Sequence, residues 1–124
     1  LGADEVIDYR AADFTQAVKD VDVVFELVGG NYGTRSIDVL RPGGLLVTAV
    51  EARNSELAAR TKAAGRLFHG VAVEPDGAEL QQLAELVDAG HLRVHVEHAI
   101  PLENVATAHA LFEGGLRGKA VLTM

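Results

Sequence analysis

Two stretches of the chain are almost wholly apolar. Val21-Asp22-Val23-Val24-Phe25-Glu26-Leu27-Val28 runs into Gly29-Gly30, and Leu45-Leu46-Val47-Thr48-Ala49-Val50 follows Arg41-Pro42-Gly43-Gly44. Rich in β-branched residues and bounded by turn formers, both are predicted strands, and their near-continuous apolar character predicts cover on both faces. Between them Tyr32, Ser36, Ile37 and Leu40 recur at helical spacing behind Asn31, whose side chain can cap the free N–H groups of a first turn. Strand, helix and strand in this order predict a parallel crossover.

The alternation extends in both directions. Upstream, Val6-Ile7-Asp8-Tyr9 is predicted as a short strand, and Phe14, Ala17, Val18 and Val21 make a helical stripe behind Asp13, a good N-cap. Downstream, Asn54 or Ser55 opens a helix through Ala64 that Gly65 closes, and Leu67 to Val73 is another strand. Leu80, Leu83, Ala84 and Val87 form a stripe ending at Gly90. Val94, Val96, His98 and Ile100 share one face of a period-two segment, Val105, Ala108, His109 and Phe112 form a last helix after Pro101, and Lys119 to Met124 a last strand.

No repeat, linker or low-complexity stretch divides residues 1–124, so one unit is expected. The pattern predicts an α/β fold: an open, doubly wound, mostly parallel sheet with helices on both faces, where ligands bind beyond the carboxyl ends of the strands. Those ends are Tyr9, Val28-Gly29-Gly30 and Thr48-Ala49-Val50.

Composition narrows the partners. With 48% hydrophobic and 23% charged residues the chain is expected to be soluble and globular, and no apolar run approaches the about 20 residues of a membrane span. A net charge of −7 with scattered Lys and Arg disfavours nucleic acid. The chain has no cysteine, which suits a reducing compartment, and its first residues lack the pattern of a signal peptide, so a cytoplasmic location is expected. A first residue other than Met within mid-domain sequence suggests a piece of a longer polypeptide.

Candidate chemistry is sparse. Gly29-Gly30 after a strand lets a ligand approach the backbone, although the same pair also serves ordinary turns. Arg41-Pro42-Gly43-Gly44 has the composition of a structural turn. The stretch Gly114 to Lys119 lacks the spacing of a phosphate loop and is read as a turn, and no G-x-G-x-x-G occurs to hold a pyrophosphate. His91, His95 and His98 cannot converge on one ion from an extended segment, so no metal is expected. His69 and His109 are expected as packed core histidines. Ser36 and Ser55 lie in no nucleophile elbow, and no Tyr precedes a Lys by four residues, so no catalytic residue is assigned. Tyr9 could lay its ring against an adenosine and reach a ribose phosphate.

Three segments, Leu1-Gly2-Ala3-Asp4-Glu5-Val6-Ile7-Asp8-Tyr9-Arg10, Asp22 to Gly30 and Leu40-Arg41-Pro42-Gly43-Gly44-Leu45-Leu46-Val47, resemble the medium-chain dehydrogenase/reductase superfamily, most closely its quinone oxidoreductase branch. Leu83 to Arg93, Ile100-Pro101-Leu102-Glu103, Ala108-His109 and Gly118-Lys119-Ala120-Val121-Leu122 resemble the same superfamily's C-terminus, in the same order.

The resemblance implies the C-terminal part of a Rossmann-like cofactor domain binding NADPH or NADH, in a zinc-independent reductase of quinones or enones that acts as a homodimer. It further implies that Tyr9 approaches the adenosine phosphate, and that Val28, Gly29, Thr48, Ala49 and Val50 line the nicotinamide end. The glycine fingerprint and the substrate domain would precede Leu1. Two alternatives remain: a methyltransferase fragment, since that family shares the turn at Arg41 to Gly44 between helix and strand, and a non-catalytic module that dimerises through the Leu67–Val73 strand.

Overall fold

The computed structural model describes residues 2–116 and 118–124. The chain gathers into two compact units, Gly2–Pro75 and Asp76–Met124.

The first unit runs α1 (Phe14–Ala17), β1 (Val21–Glu26), α2 (Asn31–Ser36), a 3-10 turn (Ile37–Val39), β2 (Leu40–Thr48), α3 (Ser55–Ala63) and β3 (Leu67–Gly70). Its sheet has the order β1-β2-β3, every pair parallel, as the crossover pattern predicts. Val24, Leu46 and Phe68 stand in register across the three strands, and with Ile37, Leu40 and Leu57 they make the core. Because side chains alternate along a strand, this row covers one face only. Val23, Phe25 and Leu67 are exposed, so the expected cover on both faces is not met among the described residues.

Three local expectations are corrected. Val6 to Tyr9 is not a strand; Tyr9 opens a turn and Val6 is exposed. A strand needs a neighbour for its N–H and C=O groups, and none pairs with this segment among the described residues. The helix expected through Val21 is the single turn of α1, because Asp20 takes a φ of 55° and Val21 leaves to pair with Leu40. Asp13 does cap it, accepting from the Thr15 N–H. Asn31 lies inside α2, whose cap position is Gly30. The Arg41-Pro42-Gly43-Gly44 turn survives as an irregularity within β2, where the register jumps from Val21–Leu40 to Val23–Leu45.

Helix α3 begins at its expected cap, with Asn54 Oδ1 accepting from the Leu57 N–H at 2.9 Å, and the chain leaves it at Gly65. β3 is shorter than expected, ending at Gly70, although the Val71 N–H still donates to the Thr48 carbonyl at 2.8 Å.

The second unit comprises α4 (Gly77–Asp88), β4 (Val96–Pro101), a 3-10 turn (Leu102–Asn104), α5 (Val105–Glu113) and β5 (Lys119–Thr123). β4 and β5 pair in parallel. Asp76 caps α4 by accepting from the Ala78 and Glu79 N–H groups. The α4 stripe of Leu80, Leu83 and Val87 forms as predicted, yet none of the helix's residues is buried. Arg117, in the stretch read as a turn before β5, lies outside the described residues. No described helix is long and apolar enough to cross a membrane.

Candidate functional site

Parallel pairing of β1 and β2 sets Glu26 beside Thr48, so both strands deliver their carboxyl ends at the same level. Five of the six residues singled out from the sequence, Val28, Gly29, Thr48, Ala49 and Val50, therefore gather at the carboxyl end of the sheet. Gly29 is buried beneath Val50, and a Cβ on Gly29 would stand 2.9 Å from Val50 Cγ1. Gly29 also holds a φ of +82°, a conformation that L side chains rarely adopt. Gly70, at the end of β3, meets the Ala52 carbonyl so closely that an added Cβ would lie 1.9 Å from it. The loop after β2 thus folds over the end of β3. Val28 and Val50 keep 68% and 55% of their surface exposed, forming an aliphatic ledge.

A polar network lies beneath the ledge. Glu26, only 5% exposed, accepts from the Val28 N–H at 2.5 Å and the Gly29 N–H at 2.6 Å, both on Oε1. Its Oε2 accepts from the Thr48 hydroxyl at 3.1 Å, and Thr48 Oγ1 in turn accepts from the Glu51 N–H at 3.1 Å. Glu51 Oε1 accepts from Asn54 Nδ2 at 3.0 Å, which ties the network to the cap of α3. Thr48 is fully buried, so it acts on the ledge through Glu26 rather than by touching a ligand.

Tyr9 is placed differently. It lines a cavity of about 300 Å³ with Arg10, Asp13, Phe14, Tyr32 and Arg35. The Phe14 and Tyr32 rings stack with centroids 6.2 Å apart, and the Arg35 guanidinium lies 4.7 Å from the Phe14 centroid. Arg35 Nη2 pairs with Asp13 Oδ1 at 2.6 Å, which balances its charge. The Asp13 carboxyl titrates below its ordinary range, held first by the Thr15 backbone N–H, then by the Thr15 hydroxyl and by Arg35, against a partial cost of burial. A second hollow of about 210 Å³, bounded by Val24, Phe25, Glu26, Leu27 and Val28, shares Phe14 and Tyr32 with the first. The stacked rings thus stand between Tyr9 and the ledge.

The arrangement offers an apolar surface for a flat ring and no group poised for proton transfer. His69 and His109 are exposed, which corrects their expected packing: β3 is an edge strand and α5 has no buried residue. Glu26 and Glu51 escaped the sequence analysis, because a charged residue at a strand end has many surface roles. The available signal was Glu26 as an acid inside an otherwise apolar strand.

Comparison with known proteins defines the relationship. A family model described as zinc-binding dehydrogenase matches residues 1–122. The chain belongs to the zinc-binding dehydrogenase family. It is 31% identical to the mitochondrial NAD(P)H oxidoreductase RTN4IP1 of Mus musculus, over all of this chain and 38% of that protein. The human RTN4IP1 protein is also 31% identical over the same shares. The chain spans about 38% of the length of these curated relatives.

The solved quinone oxidoreductase from Coxiella burnetii superposes with a TM-score of 0.87 at 34% identity, over 99% of this chain and 39% of that one. The Escherichia coli quinone oxidoreductase complexed with NADPH shares the fold, with a TM-score of 0.74 at 23% identity, over 99% of this chain and 44% of that one. The expected superfamily and the partial Rossmann-like α/β fold are borne out, and the methyltransferase alternative falls with them. Although the family's description names zinc, this member has no cysteine, and no group of three or more His, Asp or Glu among the described residues could hold a metal ion. The described residues by themselves do not form a metal centre.

Proposed function

We propose that this chain forms the nicotinamide side of the cofactor cleft in an NAD(P)H-dependent oxidoreductase that passes hydride to a small conjugated carbonyl compound, a quinone or an enone. One observation carries the proposal: Gly29 lies under Val50 at the joined carboxyl ends of β1 and β2, where an open parallel sheet binds its ligands.

The fit to a dinucleotide is one of shape and polarity. The exposed Val28 and Val50 present an apolar bed for a planar ring, and the missing Cβ at Gly29 lets the backbone approach it. Val28, Gly29, Ala49 and Val50 would seat the nicotinamide, with Thr48 supporting them from below. Tyr9 would meet the adenosine end, beside the Phe14 and Tyr32 stack. The cofactor, once bound, supplies the hydride chemistry; this chain orients the ring and keeps water from one of its faces. No glycine fingerprint among these 124 residues would grip the pyrophosphate.

NMR titration of the isotope-labelled chain with NADPH tests this. Weak binding, with shifts confined to residues 28–29 and 48–50 and to Tyr9, is the expected result. No shift at millimolar NADPH would refute the cofactor reading, and tight binding would refute the claim that the phosphate grip lies elsewhere.

Two further parts of the proposal concern setting. β3 is an edge strand of the three-stranded sheet among the described residues, with Leu67 exposed, which supports a homodimer joined edge to edge. Light scattering would show a mass of two chains. The absence of cysteine supports a reducing compartment such as the cytoplasm, to be checked by cell fractionation.

A further inference from the structure

The N–H groups of Val28 and Gly29 point the same way from a segment in which Gly29 has a positive φ. Successive N–H groups in such a turn make a concavity that holds anions. Here the acceptor is the protein's own: Glu26 Oε1 takes both donors, at 2.5 and 2.6 Å. The carboxylate is buried and anchored on its other oxygen by the Thr48 hydroxyl. The segment's donors are therefore spent internally, and a negative charge stands directly behind them.

We propose that Glu26 is a positioning residue that sets the hydrogen-bond polarity of the ledge. With the Val28 and Gly29 N–H groups consumed, these two residues offer a ligand carbonyl acceptors and apolar surface but no backbone N–H donor. The ligand group it selects is a neutral ring bearing an N–H donor, such as a carboxamide, and it disfavours the same ring bearing a carboxylate. This rests on the cofactor assignment above and adds what discriminates there. Glu51 joins the network through its backbone N–H to Thr48, and its own carboxyl group accepts from Asn54 Nδ2.

The test uses the isotope-labelled chain, the isosteric variant Glu26→Gln and Thr48→Val, with reduced nicotinamide mononucleotide and its carboxylate counterpart, reduced nicotinic acid mononucleotide, as probes. In the unmodified chain a single side-chain carboxyl carbon should show through-hydrogen-bond coupling to both the Val28 and Gly29 nitrogens. Amide exchange at these two residues should accelerate about tenfold or more in Glu26→Gln while the β2 and β3 amides hold their rates. The unmodified chain should prefer the carboxamide probe by about tenfold, falling below about threefold in Glu26→Gln.

Unchanged exchange at Val28 and Gly29, or the same probe preference in the variant, would overturn the proposal. Equal affinities of the unmodified chain for the two probes would overturn it while leaving the cofactor reading standing. No shift with either probe would sink both. Should Glu26→Gln fail to fold, Thr48→Val, which removes the Oε2 anchor together with the acceptor of the Glu51 N–H, should still weaken the preference, and an unaltered preference there counts against the proposal.

Discussion

Gly29 and Val50 come from different strands and different loops, yet Val50 Cγ1 stands only 2.9 Å from where a Gly29 Cβ would be. This contact brings the two strand-end segments together as one surface. Gly29→Ala must place a Cβ 2.9 Å from that methyl group while keeping a φ of +82°. The backbone term alone costs about 1–2 kcal/mol. Urea unfolding should show at least that loss, and adding Val50→Ala to the variant should return only the steric part, because the strained φ persists.

Leu46 lies at the centre of the first unit's core, between Val24 and Phe68 in register and beneath Leu57. Leu46→Ala should destabilise the unit by about 2–5 kcal/mol, the range for a buried leucine whose cavity cannot collapse. Denaturant melts followed by circular dichroism check this. A loss under about 1 kcal/mol would mean that the site collapses around the smaller side chain.

Asn54 serves two structures at once, capping α3 through Oδ1 and steadying Glu51 through Nδ2. Asn54→Ala should cost about 1 kcal/mol from the cap. Amide exchange should accelerate at Leu57 in the first turn of α3, and at Glu51 as its side chain loses a partner, with little change in β1.

Asp13 predicts a pH dependence whose sign follows from its hydrogen bonds. Its carboxyl titrates below the ordinary range because the Thr15 N–H, the Thr15 hydroxyl and Arg35 all favour the charged form. Such a group contributes stability above the unfolded-state value, and that contribution is lost as pH falls through the lowered folded-state value. Asp13→Asn should therefore melt lower than the unmodified chain at neutral pH, with the gap closing in acid. Thermal melts across that range test it, and a constant gap would point to a cause other than charge. The Arg35 pair is partly exposed and is expected to add little.

How much could be read in advance differs from residue to residue. The caps at Asp13 and Asn54 and the glycine after α3 depend on local backbone geometry and stand where the sequence places them, and the apolar runs of β1 and β2 form strands, although β1 stops at Glu26 and β2 runs from Leu40 to Thr48. Val28, Gly29, Thr48, Ala49 and Val50 could be nominated because parallel strands expose their carboxyl ends together. The Val6–Tyr9 strand failed for the complementary reason: a strand depends on its neighbour, and nothing in those four residues specifies one.

The sequence by itself determined the alternation of elements, the parallel sheet and the family, since these follow from periodicity, turn chemistry and ordered motifs spread along the chain. Only the tertiary structure decided that Glu26 turns its carboxylate back onto Val28 and Gly29, that Thr48 is buried in its service, and that Tyr9 is set behind an aromatic stack. Hydrogen-bond partners 22 residues apart, such as Thr48 and Glu26, leave no local pattern in the chain. They meet because two strands pair in one register rather than another, and a shift of one residue would turn every side chain to the opposite face.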